Sequence, residues 1–346
     1  MSQTVTVVNI DYQDLLNGKD LVEEIHNAYG KDGLGILTVS GVPNYEEYRN
    51  ALLPQAHTFA TLEEDIKNKY VDASSNYSFG WSHGKERFNG RPDTFKGSFY
   101  ANPQHDVKTT DEALIKEFPF YCRPNIWPSE HVPTYEDAFK KLGTLIVQVG
   151  ILVAGACDRY VQKSSPTYVA DKLKSTIEQS KTTKARLLYY FPTTNNSDNV
   201  SYAEDNLDSW CGWHLDHGSL TGLTKAIFLN EKGDRVENND KKAGLYIKNR
   251  VGEIVKATWK DDQLAFQIGE SAQVHSGGIL RATPHCVRGS SELGVARATL
   301  AVFMQPQWDA TMDTPTGVDV KDSLIDVLKQ GMDFNMFTKE RLAQYY

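Results

Sequence analysis

The chain has 346 residues, of which 40% are hydrophobic and 24% are charged, as is usual for a globular protein with a sizeable core. The formal net charge is −8 and no block of clustered lysine and arginine is present, so we expect no nucleic-acid partner. No two cysteines form a CxxC pair, which excludes a zinc ribbon and favours free thiols in a reducing cytoplasm. The cysteines are Cys122, Cys157, Cys211 and Cys286.

A membrane is not expected as a partner either. The first residues, MSQTVTVVNIDYQDLL, lack the basic and apolar regions of a signal peptide. The most apolar stretch, Leu142 to Cys157, contains Thr144, Gln148 and three glycines. Because a membrane span needs ~20 apolar residues, this shorter stretch predicts a buried helix.

The first half of the chain mixes strand and helix patterns. We predict a short strand over 4–10, a helix over 20–29, a strand over 34–42 and helical structure over 45–70. Residues 72–103 are dense in aromatic residues, Gly and Asn. Such a segment is either a substrate lid or an ordered surface loop with its own small core, and the sequence leaves both open. Residues 134–179 predict one or two helices.

From Ala185 onward the apolar residues recur with period two, which indicates short strands separated by turn residues. Eight such segments follow one another, and their number favours an antiparallel sandwich or barrel. From Thr311 the chain reads as a loop and a terminal helix. The sequence therefore predicts an α+β protein in which helices brace a β-sandwich.

The segment WHLDHG contains the first candidate metal ligands. His214 and Asp216 occupy alternate positions, and on a strand residues i and i+2 point to the same face. His285 follows much later in the chain, on another predicted strand. Two histidines and one carboxylate form the facial triad of non-haem iron(II) oxygenases. A chance HxD pair is common, so the triad alone is a weak signal.

A second pair of residues strengthens the prediction. Arg297 and Thr299 follow shortly after His285, on the next predicted strand, and share one strand face. A guanidinium forms a bidentate pair with a carboxylate, and a hydroxyl adds one hydrogen bond, so the pair suits a dicarboxylate co-substrate. A structural ion pair at Arg297 is the alternative.

These motifs resemble those of a known family. The stretch WHLDHGSLT…PHCVRG…ARATLAVFMQP resembles the isopenicillin N synthase-like branch of the 2-oxoglutarate and iron(II)-dependent oxygenases. The resemblance implies a double-stranded β-helix (jelly roll) braced by helices, with a mixed N-terminal region. We accordingly divide the chain into a helix-rich N-terminal region (1–180), the jelly-roll core (181–310) and a C-terminal loop and helix (311–346).

The resemblance also implies roles for single residues. His214, Asp216 and His285 match the iron ligands, and Arg297 and Thr299 match the pair that holds the distal carboxylate of 2-oxoglutarate. ARLLYYFP resembles the family's strand before HxD, which makes Tyr190 a candidate hydrogen-bond donor to the co-substrate, with a core tyrosine as the alternative. Leu188 stands where that strand usually has Asn.

The implied activity is that of a 2-oxoglutarate-dependent Fe(II) dioxygenase. Such an enzyme uses Fe(II), 2-oxoglutarate and O2, with ascorbate as a candidate reductant, and couples oxidative decarboxylation of 2-oxoglutarate to hydroxylation, or a related oxidation, of a small organic substrate. We expect residues 72–103, 193–212 and the C-terminal helix to form the substrate pocket. Lys85, Arg87, Arg91 and Lys96 hint at an acidic group on the substrate.

Three other functions stay open on the sequence. Relatives of the isopenicillin N synthase type use the same triad without 2-oxoglutarate and oxidise the substrate itself. A jelly-roll protein can also be a non-catalytic binding protein, because fold alone does not fix function. A zinc hydrolase is the third alternative, although the chain has no HExxH motif. The oligomeric state cannot be read from the sequence.

Overall fold

The structure is a computed structural model that describes residues 3–85, 87–88, 91–192 and 211–343, with the backbone alone at 87, 88, 91 and 92. Its helices are α1 Tyr12–Leu16, α2 Val22–Tyr29, α3 Tyr45–Ala60, α4 Glu64–Asn68, α5 Glu112–Glu117, α6 Pro119–Cys122, α7 Tyr135–Ser164, α8 Lys172–Gln179, α9 Glu270–His275 and α10 Phe334–Leu342. Short 3-10 helices cover Ala73–Ser75 and Val320–Ser323.

The strands of the first half are β1 Gln3–Thr6, β2 Val8–Asp11, β3 Ile36–Ser40, β4 Gly80–His83, β5 Arg87–Phe88, β6 Arg91–Pro92 and β7 Lys96–Ala101. Those of the second half are β8 Lys184–Tyr190, β9 Cys211–His214, β10 Leu220–Leu223, β11 Ile227–Leu229, β12 Arg235–Val236, β13 Gly244–Lys248, β14 Ile254–Thr258, β15 Leu264–Ile268, β16 His285–Arg288 and β17 Ala296–Met304.

Two sheets of unequal size form the centre of the fold. The minor sheet has the order β1-β14-β13-β16-β9, and the major sheet has the order β2-β3-β15-β10-β17-β8-β7-β4, with β11 and β12 beside β17. Of the eight strands β8 to β10 and β13 to β17, β8, β10, β15 and β17 lie in the major sheet and β9, β13, β14 and β16 in the minor sheet, which is the division of a double-stranded β-helix. The predicted α+β class and jelly-roll core are confirmed.

The alternation of side chains along β8 and β17 builds the space between the sheets. Arg297 pairs with Tyr190 and Thr299 with Leu188, so these four side chains share one face. Leu188 and Tyr190 pack there with apolar residues of both sheets, including Val287 of the minor sheet. Arg297 and Thr299 therefore face the space between the two sheets.

The opposite face of the major sheet is covered by helices, above all by α7. By length and composition α7 could cross a membrane, but 67% of its most apolar window is buried inside the protein. It contacts α2, α3, α8, β10 and β17. The helix therefore has the surroundings of a core helix, as the sequence predicts for Leu142 to Cys157.

Several predicted elements have different bounds in the structure. The helical pattern over 45–70 is divided into α3 and α4, and the predicted strand at WHLDHG ends at His214. The irregular segment 72–103 adds β4 and β7 to the major sheet next to β8. Strands from both sides of residue 180 are thus hydrogen-bonded in one sheet.

We predict opposite stability changes for two glycines of α7. A Cβ at Gly143 would lie 2.4 Å from Cβ of the rigid Pro103, whereas a Cβ at Gly155 would have no atom closer than 3.7 Å. Gly143→Ala should lower the free energy of unfolding by about 1–3 kcal/mol, through overpacking. Gly155→Ala should raise it by up to ~1 kcal/mol, because alanine favours a helix interior. Urea denaturation measures both, and a shift in the same direction for the two variants would contradict this packing.

Candidate metal centre

Two histidines meet where β9 and β16 pair. His214 is the last residue of β9, His285 is the first of β16, and the two are direct partners in the antiparallel register. Their ring centroids are 4.3 Å apart, with an interplanar angle of 57°. Strand pairing alone therefore brings together two residues that are distant in the sequence.

The carboxylate of Asp216 completes the group. Its oxygens lie 3.8 Å from Nε2 of His214 and 3.9 Å from Nε2 of His285. One ligand atom from each of the three residues lies within 4.8 Å of the others, so one ion could contact all three. Asp216 stands beyond the end of β9, so the prediction that a shared strand face aligns it with His214 was wrong.

Hydrogen bonds from one short segment hold Asp216 in place instead. The N–H of Glu270 donates to the carbonyl of Asp216 at 2.8 Å, and the N–H of Ser271 donates to that of Gly218 at 3.1 Å. The Ser271 hydroxyl donates to the His217 carbonyl at 2.6 Å, and the N–H of Gly269 donates to the Ser219 carbonyl. The loop that carries Asp216 is therefore fixed by the end of β15 and the start of α9.

Both imidazoles direct Nε2 towards the carboxylate. Nδ1 of His214 lies 2.7 Å from the carbonyl of Gly212, and Nδ1 of His285 lies 3.2 Å from the carbonyl of Thr283. A carbonyl only accepts, so each Nδ1 carries the hydrogen. Such bonds orient histidine ligands and leave Nε2 for the metal.

One carboxylate oxygen of Asp216 is left without a hydrogen bond by the described residues. Oδ2 of Asp216 is buried and has no hydrogen-bond partner among the described residues. Burial raises the pKa of this carboxyl, but His285, His214 and a hydrogen bond from Thr221 outweigh burial and bring the pKa below its usual value. A buried, ionised oxygen without a donor is costly, and a divalent cation would compensate it. The two-histidine, one-carboxylate donor set fits Fe(II).

The two histidines differ in their protonation. Burial, with the charge of His214, lowers the pKa of His285 to about 4, so His285 is neutral at pH 7. Burial also lowers the pKa of His214, but the thiolate form of Cys211, with Sγ 3.8 Å from Nδ1, and the carboxylate of Asp216 outweigh burial and raise the pKa to about 9. A metal ion must therefore displace a proton from His214.

Arg297 and Tyr190 lie together on neighbouring strands of the major sheet. Cζ of Arg297 is 5.0 Å from the centroid of the Tyr190 ring on the neighbouring strand. Nη1 of Arg297 is buried and has no hydrogen-bond partner among the described residues. A guanidinium that holds a carboxylate would use this nitrogen.

Thr299 lies on the same face, but its hydroxyl has another partner. It donates to the carbonyl of Thr224 at 3.1 Å, and its oxygen lies 3.1 Å from the Thr224 hydroxyl. The hydroxyl hydrogen is thus used within the protein. Thr299 therefore lies on the strand face that the sequence predicts. Its hydrogen bond links β17 to Thr224, which directly follows β10.

Two aromatic residues of the segment 72–103, Trp81 and Phe99, belong to the main hydrophobic core. The rings of Trp81 and Phe99 are each 5.2 Å from that of Phe59 in α3, in the core beneath the major sheet. For these two residues the structure favours a packing role over a substrate lid.

Of the four basic residues that we expect near the substrate, the two lysines have side chains that the structure describes. Lys96 forms an ion pair with Asp93, and Nζ of Lys85 lies 5.3 Å from the centroid of the Tyr77 ring. The side chains of Arg87 and Arg91 and the segment 193–210 lie outside the described residues.

Sequence reasoning missed Cys211 and Glu270, which contact His214 and Asp216, and Ser271, which is hydrogen-bonded to the loop that carries Asp216. Cys211 could have been found, because it closely precedes His214 in the same predicted strand region. Glu270 and Ser271 had no local signal, because their relation to Asp216 exists only after the sheets assemble.

The chain resembles known proteins in its N-terminal sequence and in its fold. Residues 6–130 match the family described as non-haem dioxygenase in morphine synthesis N-terminal. No curated protein matches the sequence. A Neurospora crassa protein, solved at full length in complex with alpha-KG and thymine, is 18% identical over 98% of this chain and 97% of that chain, with a TM-score of 0.71.

Two further structures are similar over most of their length. JOX2 in complex with 2OG, Fe and JA is 16% identical over 99% of this chain and 86% of that chain, with a TM-score of 0.66. The rice dioxygenase for auxin oxidation is 18% identical over 98% and 95%, with a TM-score of 0.61. The family match covers about the first third of the chain, and the structural similarity extends over nearly all of it. At these identities, the structures show that the chain shares their fold.

We predict that the protein binds divalent metal more weakly as the pH falls. Because the pKa of His214 is raised to about 9, each pH unit below that value should reduce Co(II) affinity about tenfold, as one proton competes with the metal. Cys211→Ser removes the thiol that raises this pKa and should move the decline to lower pH. Co(II) titration across this pH range measures both, and an affinity that does not change with pH would contradict the assignment of His214.

Proposed function

We propose that the protein is an Fe(II)- and 2-oxoglutarate-dependent oxygenase that oxidises a small organic substrate, by hydroxylation or a related reaction. The observation that carries the proposal is the convergence of His214, Asp216 and His285 around a buried carboxylate oxygen that lacks a partner among the described residues. The nitrogen of Arg297 that likewise lacks a partner there, on the inner face of the major sheet, supports a carboxylate co-substrate.

The residues of the chain would divide the work. His214, Asp216 and His285 would hold the iron, and a set of three protein ligands would leave it able to bind further ligands. Arg297 would bind the distal carboxylate of 2-oxoglutarate, and the ring of Tyr190 lies beside its guanidinium. Apolar residues between the sheets, such as Val287, would exclude water. When bound, iron and 2-oxoglutarate supply the oxidising chemistry.

Similar structures support a small substrate. The Neurospora crassa protein was crystallised with alpha-KG and thymine, and JOX2 with 2OG, Fe and JA. We propose a substrate of comparable size and ascorbate as the reductant that keeps the iron ferrous.

We also propose a branch of the family, a cellular location and the absence of nucleic acid as a partner. Membership of the isopenicillin N synthase-like branch is supported by the N-terminal family match. A cytoplasmic location is supported by the four free cysteines, and an aqueous setting by the burial of α7. The acidic composition supports the absence of nucleic acid as a partner.

The function is tested by loading the protein with Fe(II) without oxygen and adding 2-oxoglutarate. Chelation of iron by the keto acid should produce a visible charge-transfer band, and oxygen should then yield succinate. Arg297→Ala should weaken 2-oxoglutarate binding about ten- to a hundredfold, because it removes hydrogen bonds to a charged group. Arg297→Lys keeps the charge but lacks the planar guanidinium group. Its affinity for 2-oxoglutarate should therefore lie between that of the unaltered protein and that of Arg297→Ala.

The possible outcomes separate the candidate functions. Asp216→Ala should abolish iron binding and succinate formation. Iron binding without a band would favour an oxidase that does not use 2-oxoglutarate. Failure of the unaltered protein to bind iron would refute the metal centre and favour a non-catalytic binding protein.

A further inference from the structure

A buried ion pair lies directly behind the loop that carries Asp216. Glu270 is fully buried, with 0% exposure, and is the first residue of α9. Its carboxylate pairs with the guanidinium of Arg341 in α10, which is itself 7% exposed. The two partners are distant in the sequence, so the pair joins the C-terminal helix to the jelly roll.

The backbone of Glu270 contacts the candidate ligand directly. Its N–H donates to the carbonyl of Asp216, and Ser271 next to it holds the carbonyls of His217 and Gly218. The position of α9 therefore determines the position of the Asp216 loop. Arg341 is thus connected to Asp216 through Glu270, whose carboxylate pairs with Arg341 and whose backbone N–H donates to the Asp216 carbonyl.

The charges of the pair also act on the site. Burial raises the pKa of Glu270 to about 7, with Arg341 opposing this rise and Asp216 adding to it. Burial lowers the pKa of His217 to about 4, and Arg341 contributes to that decrease. Both members of the pair are therefore close enough to the Asp216 loop to interact with it electrostatically.

A second ion pair of the same arginine provides a comparison. Arg341 also pairs, at 2.8 Å, with Asp326, whose side chain is 73% exposed. An ion pair with an exposed partner contributes little to stability. Removing one partner of a buried pair instead leaves an uncompensated charge inside the protein. If Arg341 only attached α10 to the surface, its two acidic partners should be equivalent for the metal centre.

We propose that Arg341 is a positioning residue for the metal centre: it fixes Glu270, and Glu270 fixes the loop that presents Asp216. The C-terminal helix is then part of the support of the site. This inference rests on the proposed role of Asp216 as a metal ligand.

The test measures Co(II) affinity by its absorption in the full-length protein, at one pH and well below the unfolding temperature. Arg341→Gln and Glu270→Gln should each weaken Co(II) binding about ten- to a hundredfold, the usual effect of a lost contact behind a metal ligand. Arg341→Lys keeps the charge and should recover part of the affinity. Asp326→Asn is the matched control, because it removes the other carboxylate from the same guanidinium, and it should leave Co(II) affinity unchanged.

The outcomes distinguish this inference from the proposed function. If Arg341→Gln and Asp326→Asn have the same Co(II) affinity as the unaltered protein, Arg341 has only a structural role and the inference is wrong. If the unaltered protein does not bind Co(II), the metal centre itself is refuted. Should Arg341→Gln fail to fold, Glu270→Gln, which retains a hydrogen-bonding side chain of the same shape, decides the question.

Discussion

The direct pairing of His214 with His285 across β9 and β16 is the constraint on which the candidate metal centre depends. A slip of one residue would turn one of the imidazoles to the other face of the minor sheet. β16 is paired on its other side with β13, so its register is fixed by two neighbours. The irregularity between His285 and Val287 also lies in this pairing, and bulges beside functional sites commonly redirect a side chain.

Compensation of buried charge explains the arrangement around this pair. Asp216 lies between two imidazoles, and Glu270 behind it is met by Arg341. Arg297 contacts the ring of Tyr190, but its Nη1 has no partner in the described part of the chain. A metal ion would compensate the free oxygen of Asp216, and a carboxylate would compensate Arg297. One ligand that chelates a metal at one end and carries a carboxylate at the other would meet both requirements.

Local patterns predict part of this arrangement: apolar residues with period two indicate a β-sandwich or barrel, and the alternate spacing of His214 and Asp216 indicates two candidate ligands. The jelly roll and the roles of all three candidate ligands come from the resemblance to a known family. The position of Asp216 could not be predicted from its spacing to His214. It is set by hydrogen bonds from Glu270 and Ser271, which follow only after several intervening strands. No local pattern encodes a contact between two loops at the ends of different strands.

The segment 72–103 shows that the fold, too, depends on contacts that local sequence patterns do not reveal. Its aromatic residues are compatible with a lid or with a core, and the choice depends on what lies opposite them. In the structure Trp81 packs on Phe59 of α3 and passes over Gly97, where a Cβ would lie 2.0 Å from the indole. The glycine permits this close contact between β4 and β7, which turns an irregular-looking sequence into two strands of the major sheet.

Thr299 shows what an alternate-residue spacing does and does not determine. The spacing places Thr299 on the same face as Arg297, and the structure agrees. It does not determine where the single hydroxyl hydrogen points, and here that hydrogen bonds to the Thr224 carbonyl. A carboxylate accepts hydrogen bonds and needs donors, so at this site it would meet the guanidinium of Arg297 as its charged donor. Because Thr299 ties β17 to the residue that follows β10, the same hydrogen bond helps to fix the strand from which Arg297 projects.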